Sequence, residues 1–155
     1  MKQYLLLLMA GLLLLAGCAK EAEQAAAPTP TPEVVAADDT WAKALQEAEA
    51  QSEAIKYSLE HDDLNQMQLN ETAKELYVLW DDLLNRLWGQ LERTMPEAEF
   101  AVLLQEQLTW IADKEAAVAE AGRMYEGGSI YPLIIHTEGA RITEARVYEL
   151  YEYLK

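Results

Sequence analysis

Several ionisable side chains fall where helical spacing otherwise places apolar ones. Asp81 flanks a long run of Leu, Tyr and Trp residues, one turn before Asn85. With Ile111 taken as the inward direction, Gln107, Lys114 and Glu115 lie within about 60° of it at 100° per residue. Thr143 and Arg146 lie similarly close to Leu150. An unpaired charge on a buried face is costly, so such residues need partners. Three arrangements meet that need. One is a partly buried network that fixes helix register, with Asp81 and Glu115 facing Lys114 and Arg146. The second is a binding site between the helices, and the third is an acid/base pair. The network requires nothing beyond the helices themselves and is the simplest reading.

Other chemistry-bearing residues lead less far. Glu60-His61-Asp62-Asp63 offers metal-compatible side chains, but contiguous residues in a turn do not converge on one ion. His136 has no Cys or second His near it. There is no HExxH, no Gly-rich phosphate loop after a strand, and no Ser/His/Asp arrangement in a recognisable context. Gly127-Gly128 reads as a helix stop. No catalytic residue, metal site or cofactor is therefore expected.

The elements that must position these residues are helices. Residues 41–155 show no sustained period-two alternation, and so no strand. A first helix is predicted from about Trp41 to Tyr57, capped by Asp39 or Thr40. It is rich in Ala and Glu and is expected to pack weakly or to extend the preceding segment; Ser58 to Asn65 breaks it. The second helix carries Leu69, Ala73, Leu76, Tyr77, Trp80, Leu84, Leu87, Trp88 and Leu91 as one wide stripe and ends near Arg93. Thr94-Met95-Pro96-Glu97 resembles a capping box with proline in the first turn of the third helix. That helix is expected to turn Phe100, Leu104, Leu108, Ile111 and Val118 inward. Ser129 is expected to cap the fourth, with Pro132 in its first turn and Ile135, Gly139, Val147, Leu150 and Leu154 facing the core. The predicted fold is all-α: a small antiparallel bundle of three long helices plus a weaker N-terminal one. Trp80, Trp88 and Trp110 should supply much of its core.

The N-terminal segment reads as an address. Lys2 precedes Tyr4 to Ala16, an apolar run with eight leucines. It is short for a bilayer span and suits a signal-peptide core. It ends in Leu15-Ala16-Gly17-Cys18, similar to a bacterial lipobox, in which cleavage precedes an acylated cysteine. Residues 1–17 are thus expected to be a lipoprotein signal peptide. Cys18 is the lipidation site, holding the chain to a membrane through its acyl chains. It is the only Cys, so no intrachain disulfide forms. Residues 18–40 are expected to be a disordered tether in which Pro28, Pro30 and Pro32 favour an extended strut. Residues 41–155 form the domain. The expected location is the bacterial cell envelope, on the outer membrane facing the periplasm where the cell has one.

Charge narrows the partners. There are 27 acidic against 12 basic residues, a formal net charge of −15. Removing residues 1–17 takes away Lys2 alone and makes the chain one unit more negative. This excludes a nucleic-acid surface, which needs clustered cations, and favours a cationic partner.

Four segments, in order, resemble the lysozyme inhibitor LprI N-terminal-like family of secreted bacterial domains. The first is Leu69-Asn70-Glu71-Thr72 followed by Tyr77, Asp81, Leu84 and Asn85. Next come Gln107-Leu108-Thr109-Trp110-Ile111 with Lys114-Glu115, where Lys and Glu stand for the family's Arg and Asp. The third is Tyr125-Glu126-Gly127-Gly128-Ser129, similar to its G-G-S turn. The fourth is Thr143, Arg146, Glu149 and Leu150, like its closing helix. The likeness spans about 69–150. The family's paired cysteines correspond here to Thr72, Val118 and Glu138, so packing must replace that stapling. The resemblance implies a helical envelope module, not an enzyme, whose partner is a basic protein such as lysozyme. The alternative is a structural or assembly envelope lipoprotein with an unrelated protein partner.

Overall fold

A computed structural model describes residues 37–155. Among these residues there are four α-helices and no strand: α1 (Ala37–His61), α2 (Gln66–Thr94), α3 (Glu97–Gly122) and α4 (Tyr131–Glu152). A single 3₁₀ turn, Arg123–Tyr125, follows α3. The all-α expectation holds. The signal peptide, the lipobox with Cys18 and the Pro28, Pro30 and Pro32 strut lie outside the described residues. No described helix is long and apolar enough to cross a membrane.

Helix α1 departs most from expectation. It begins at Ala37, so Asp39 and Thr40 lie in its first turn instead of capping it, and it continues through Ser58 to His61. It also packs firmly. Its buried face is small: Ala44, Ala48 and Ser52. The Ser52 hydroxyl accepts the indole N–H of Trp80 at 3.1 Å. Small residues let two backbones approach, so a helix with few large side chains can still be core.

Helix α2 supplies most of the interior, burying Ala73, Leu76, Trp80, Leu83, Leu84, Leu87 and Leu91. Asn65 caps it: its side-chain oxygen accepts from the Met67 and Gln68 amides, and the Gln68 side chain reaches back to the Asn65 N–H. This capping box spans the break after α1. The one expected at Thr94 does not form; the Thr94 hydroxyl instead donates to the Gln90 carbonyl, and Pro96 precedes α3 without any side-chain cap.

Contacts fix the directions. Trp41 lies under Arg86, and Ser52 meets Trp80, so α1 runs antiparallel to α2. Asn70 meets Ser129 and Tyr77 meets His136, so α2 and α4 run parallel, and theirs is the largest interface in the bundle. Gln107 meets Arg146 while Gly122 meets Tyr131 and Ile135, so α3 is antiparallel to α4. Consecutive helices therefore alternate in direction.

Helix α3 is rotated from the expected phase. Leu104, Leu108 and Ile111 are 38%, 52% and 36% exposed, whereas Leu103, Gln107 and Gly122 are buried. The inward face runs Phe100, Leu103, Gln107, Trp110, Lys114, with Trp88 and Phe100 in ring contact at 5.0 Å. The helix ends at Gly122, before Gly127-Gly128. A Cβ on Gly122 would come within 2.7 Å of both Tyr131 and Ile135, so glycine there allows α4 to close on α3.

Candidate functional site

Three helices bring the inward polar residues into two adjoining groups, one centred on Asp81 and the other on Arg146. On α2, Tyr77, Asp81 and Asn85 recur every four residues and so share a face. The Tyr77 hydroxyl donates to Asp81 Oδ1 at 3.3 Å and the Asn85 amide donates to Oδ2 at 3.1 Å. Lys114 enters from α3. Its ammonium lies 3.9 Å from Asp81 Oδ1 and donates to the Tyr77 oxygen at 3.4 Å. It also lies over the Tyr77 and Trp110 rings. The Asp81–Lys114 pair thus joins α2 to α3, as the register network required.

Arg146 has other partners. It is 7% exposed. Its Nε donates to Gln107 Oε1 at 2.9 Å, its Nη1 donates to Glu149 at 2.7 Å, and its guanidinium faces Trp110. Trp110 therefore serves two cations, Lys114 and Arg146. Arg146 Nη2 and the fully buried Thr143 hydroxyl have no hydrogen-bond partner. Glu115 is exposed and pairs with neither cation, which corrects its expected place in the network. The reason is the phase of α3: rotating the inward face onto Leu103 and Trp110 keeps Gln107 and Lys114 inside and turns Glu115 out.

Above the Asp81 group lies a cavity of about 280 Å³ lined by Tyr77, Lys114, Glu115, Val118, Ile135, His136 and Gly139. The missing side chain of Gly139 makes room for the Tyr77 ring, 3.1 Å from where a Cβ would stand. Tyr77 in turn stacks on His136 at 6.1 Å. Burial, with the charge of Lys74 adding to it, holds the His136 imidazole below its ordinary pKa. Val118 packs in this wall and Glu138 receives two hydrogen bonds from Arg141, so neither position is idle without cysteine.

The remaining motif residues work at one end of the bundle. The Asn70 amide donates to the Ser129 carbonyl at 2.9 Å and its oxygen accepts from Gln66. This ties the start of α2 to the Gly127-Gly128-Ser129 turn. Gly127 has a φ of +76°, a conformation glycine adopts without strain. Ser129 contributes its backbone oxygen here and makes no side-chain cap on α4. Asn70 and the turn were legible only as motif residues; nothing in their spacing shows that they touch.

Sequence reasoning missed Tyr77, Trp110 and Gly139 as parts of the polar site. The small polar Ser52 beneath Trp80 could have been found from the Ala44, Ala48, Ser52 spacing. The Glu60-His61-Asp62-Asp63 segment gathers no ligands: His61 Nδ1 faces the Tyr57 carbonyl, and the Asp62 carboxylate accepts from Ser58. Among the described residues no group of three or more His, Cys, Asp or Glu is placed to hold a metal.

No curated protein and no solved structure matches the chain significantly. One family does, described as Lysozyme inhibitor LprI, over residues 58–150. The match takes in α2, α3, the turn and nearly all of α4, including both polar groups, and it names a family of inhibitors. Because it covers more than half of the sequence, the chain belongs to the lysozyme inhibitor LprI family.

Proposed function

We propose that this protein is a lipid-anchored module of the bacterial cell envelope that binds a basic lysozyme and blocks its action. The observation that carries the reading is the family match over residues 58–150. The charge of −15 supports it, since an acidic surface steers a cationic protein toward itself. The lipobox-like Leu15-Ala16-Gly17-Cys18 supports the anchor; in this reading the module sits on the outer membrane facing the periplasm where a cell has one. In this reading the Asp81–Lys114 and Arg146–Gln107–Glu149 groups hold the scaffold and do not themselves react.

A muramidase assay with residues 19–155 tests it. Inhibition by equimolar protein is expected at low ionic strength and should weaken steeply with salt. Correctly folded protein that neither inhibits nor binds lysozyme by calorimetry at low salt would leave the assembly-lipoprotein alternative. The anchor is tested separately: Cys18→Ala should abolish palmitate incorporation and leave an unprocessed precursor.

A further inference from the structure

A second concavity lies apart from the polar site. It is a half-open groove of about 610 Å³ formed by α1, α2 and α4, with the end of α3 closing one side. Its volume is within the range of ligand sites. Leu59, Leu69, Leu76, Leu133 and Ile134 form an apolar floor. Of these only Leu76 is fully buried. The others keep apolar surface in reach of a partner.

The rim is acidic. Glu60, Glu138 and Glu144 stand around the floor with Lys56 and Arg141. Both cations are engaged by carboxylates. Arg141 is held by Glu138 at 2.6 Å. Lys56 is shared between Glu144 at 3.2 Å and Glu53 at 3.3 Å. Glu60 has no ion-pair partner. Three carboxylates at the rim thus face two cations, with Glu53 beside Lys56 outside the groove, on a chain already strongly negative. Outside the groove, burial, a hydrogen bond to Glu49, and the charges of Glu49, Glu144 and Glu53 push the Tyr148 phenol well above the ordinary range.

We infer that this groove is the docking surface for a cationic amphipathic segment of a protein partner. Apolar anchors spaced as on one helix face would enter the floor, and Lys or Arg side chains beside them would meet Glu60 and the rim. A fatty acid or another anionic amphiphile fits poorly, because its head group would meet carboxylates. The identity of the partner as a basic protein rests on the function proposed above; the chemistry of the surface does not.

The test compares two probes, a basic animal lysozyme and a synthetic helical peptide of Leu and Lys, each titrated calorimetrically into residues 19–155. Thr137→Trp is made at an exposed position on the groove wall to fill it, and Glu60→Lys reverses the unpaired rim charge. Glu97→Lys makes the same charge change at the start of α3, outside the groove. Circular dichroism and denaturant midpoints confirm folding. Thr137→Trp and Glu60→Lys should each weaken binding of both probes by about tenfold or more, while Glu97→Lys changes it by less than about twofold. Equal losses for Glu60→Lys and Glu97→Lys with none for Thr137→Trp would overturn the groove in favour of diffuse attraction. Groove-dependent binding of the peptide without any binding of lysozyme would support the groove and refute the lysozyme reading. Lysozyme binding untouched by all three changes would do the reverse, and no binding of either probe would refute both. Dimerisation abolished by Thr137→Trp would make the occupant a second copy. Binding gained when residues 19–36 are removed would make it the chain's own N-terminal segment. Either result overturns the proposal.

Discussion

Replacing Gly139 with Ala sets two opposing effects against each other. In a helix interior the change should stabilise by roughly 0.5–1 kcal/mol, because glycine loses more backbone freedom on folding. Here the new methyl would stand 3.1 and 3.2 Å from Cδ2 and Cε2 of Tyr77, inside ordinary contact. Tyr77 has little freedom to retreat. Its hydroxyl is held by Asp81 and Lys114, and its ring stacks on His136. Overpacking of this kind costs about 1–3 kcal/mol, so the expected net effect is a loss of up to about 2.5 kcal/mol. The same substitution in a Tyr77→Ala background should stabilise, since the obstructing ring is gone. The two backgrounds should then differ by about 1–3 kcal/mol, measured from urea midpoints at constant m-value. If Gly139→Ala stabilised both backgrounds equally, the close approach of α4 to Tyr77 would be wrong and with it the geometry of the polar site.

Trp80 is fully buried and hydrogen-bonded to Ser52, so Trp80→Ala should cost about 3–5 kcal/mol, whereas Trp41→Ala, at a partly buried position, should cost distinctly less; equal shifts in denaturant midpoint would contradict this core. Thr143 buries a hydroxyl with no partner, so Thr143→Val should be neutral or stabilising by about 1 kcal/mol, and a loss larger than that in thermal unfolding would show that the hydroxyl is bonded. His136 has a lowered folded-state pKa. The unfolded chain therefore binds the extra proton first, and stability present above the ordinary histidine value of 6.5 is lost as pH falls through it. His136→Phe should flatten this part of the stability–pH curve relative to the parent, and an unchanged slope would refute the assignment.

What the sequence made legible follows from which residues its patterns count. Helix α2 was readable because its buried face is made of large apolar residues at regular spacing. Helix α3 was read out of phase because Leu104, Leu108 and Ile111 outweigh the true inward set in hydrophobicity. That set includes Gln107 and Lys114, which are inside because Arg146, Asp81 and Tyr77 meet them there. Only the neighbouring helices supply that information. Helix α1 was undervalued for the converse reason: Ala44, Ala48 and Ser52 contribute by being small, which periodicity of bulky residues does not register. In the site, Asp81 with Lys114 was legible as a charge pair across helices. Glu115 was not separable from Lys114 until the rotation of α3 was known, and the Asn70–Ser129 bond joins residues distant in sequence.

The antiparallel setting of α1 separates its two ends along the bundle. Its first turns lie at the end marked by Trp41 and Arg86. The groove opens at the far end of the same helix, where Lys56, Leu59 and Glu60 lie. At 1.5 Å per residue, the rise from Ala37 to Lys56 is about 28 Å. Helix α1 thus spans from the Trp41 end of the domain to the groove as one continuous element. The groove wall is therefore held in place by the Ala44, Ala48 and Ser52 contacts farther along the same helix.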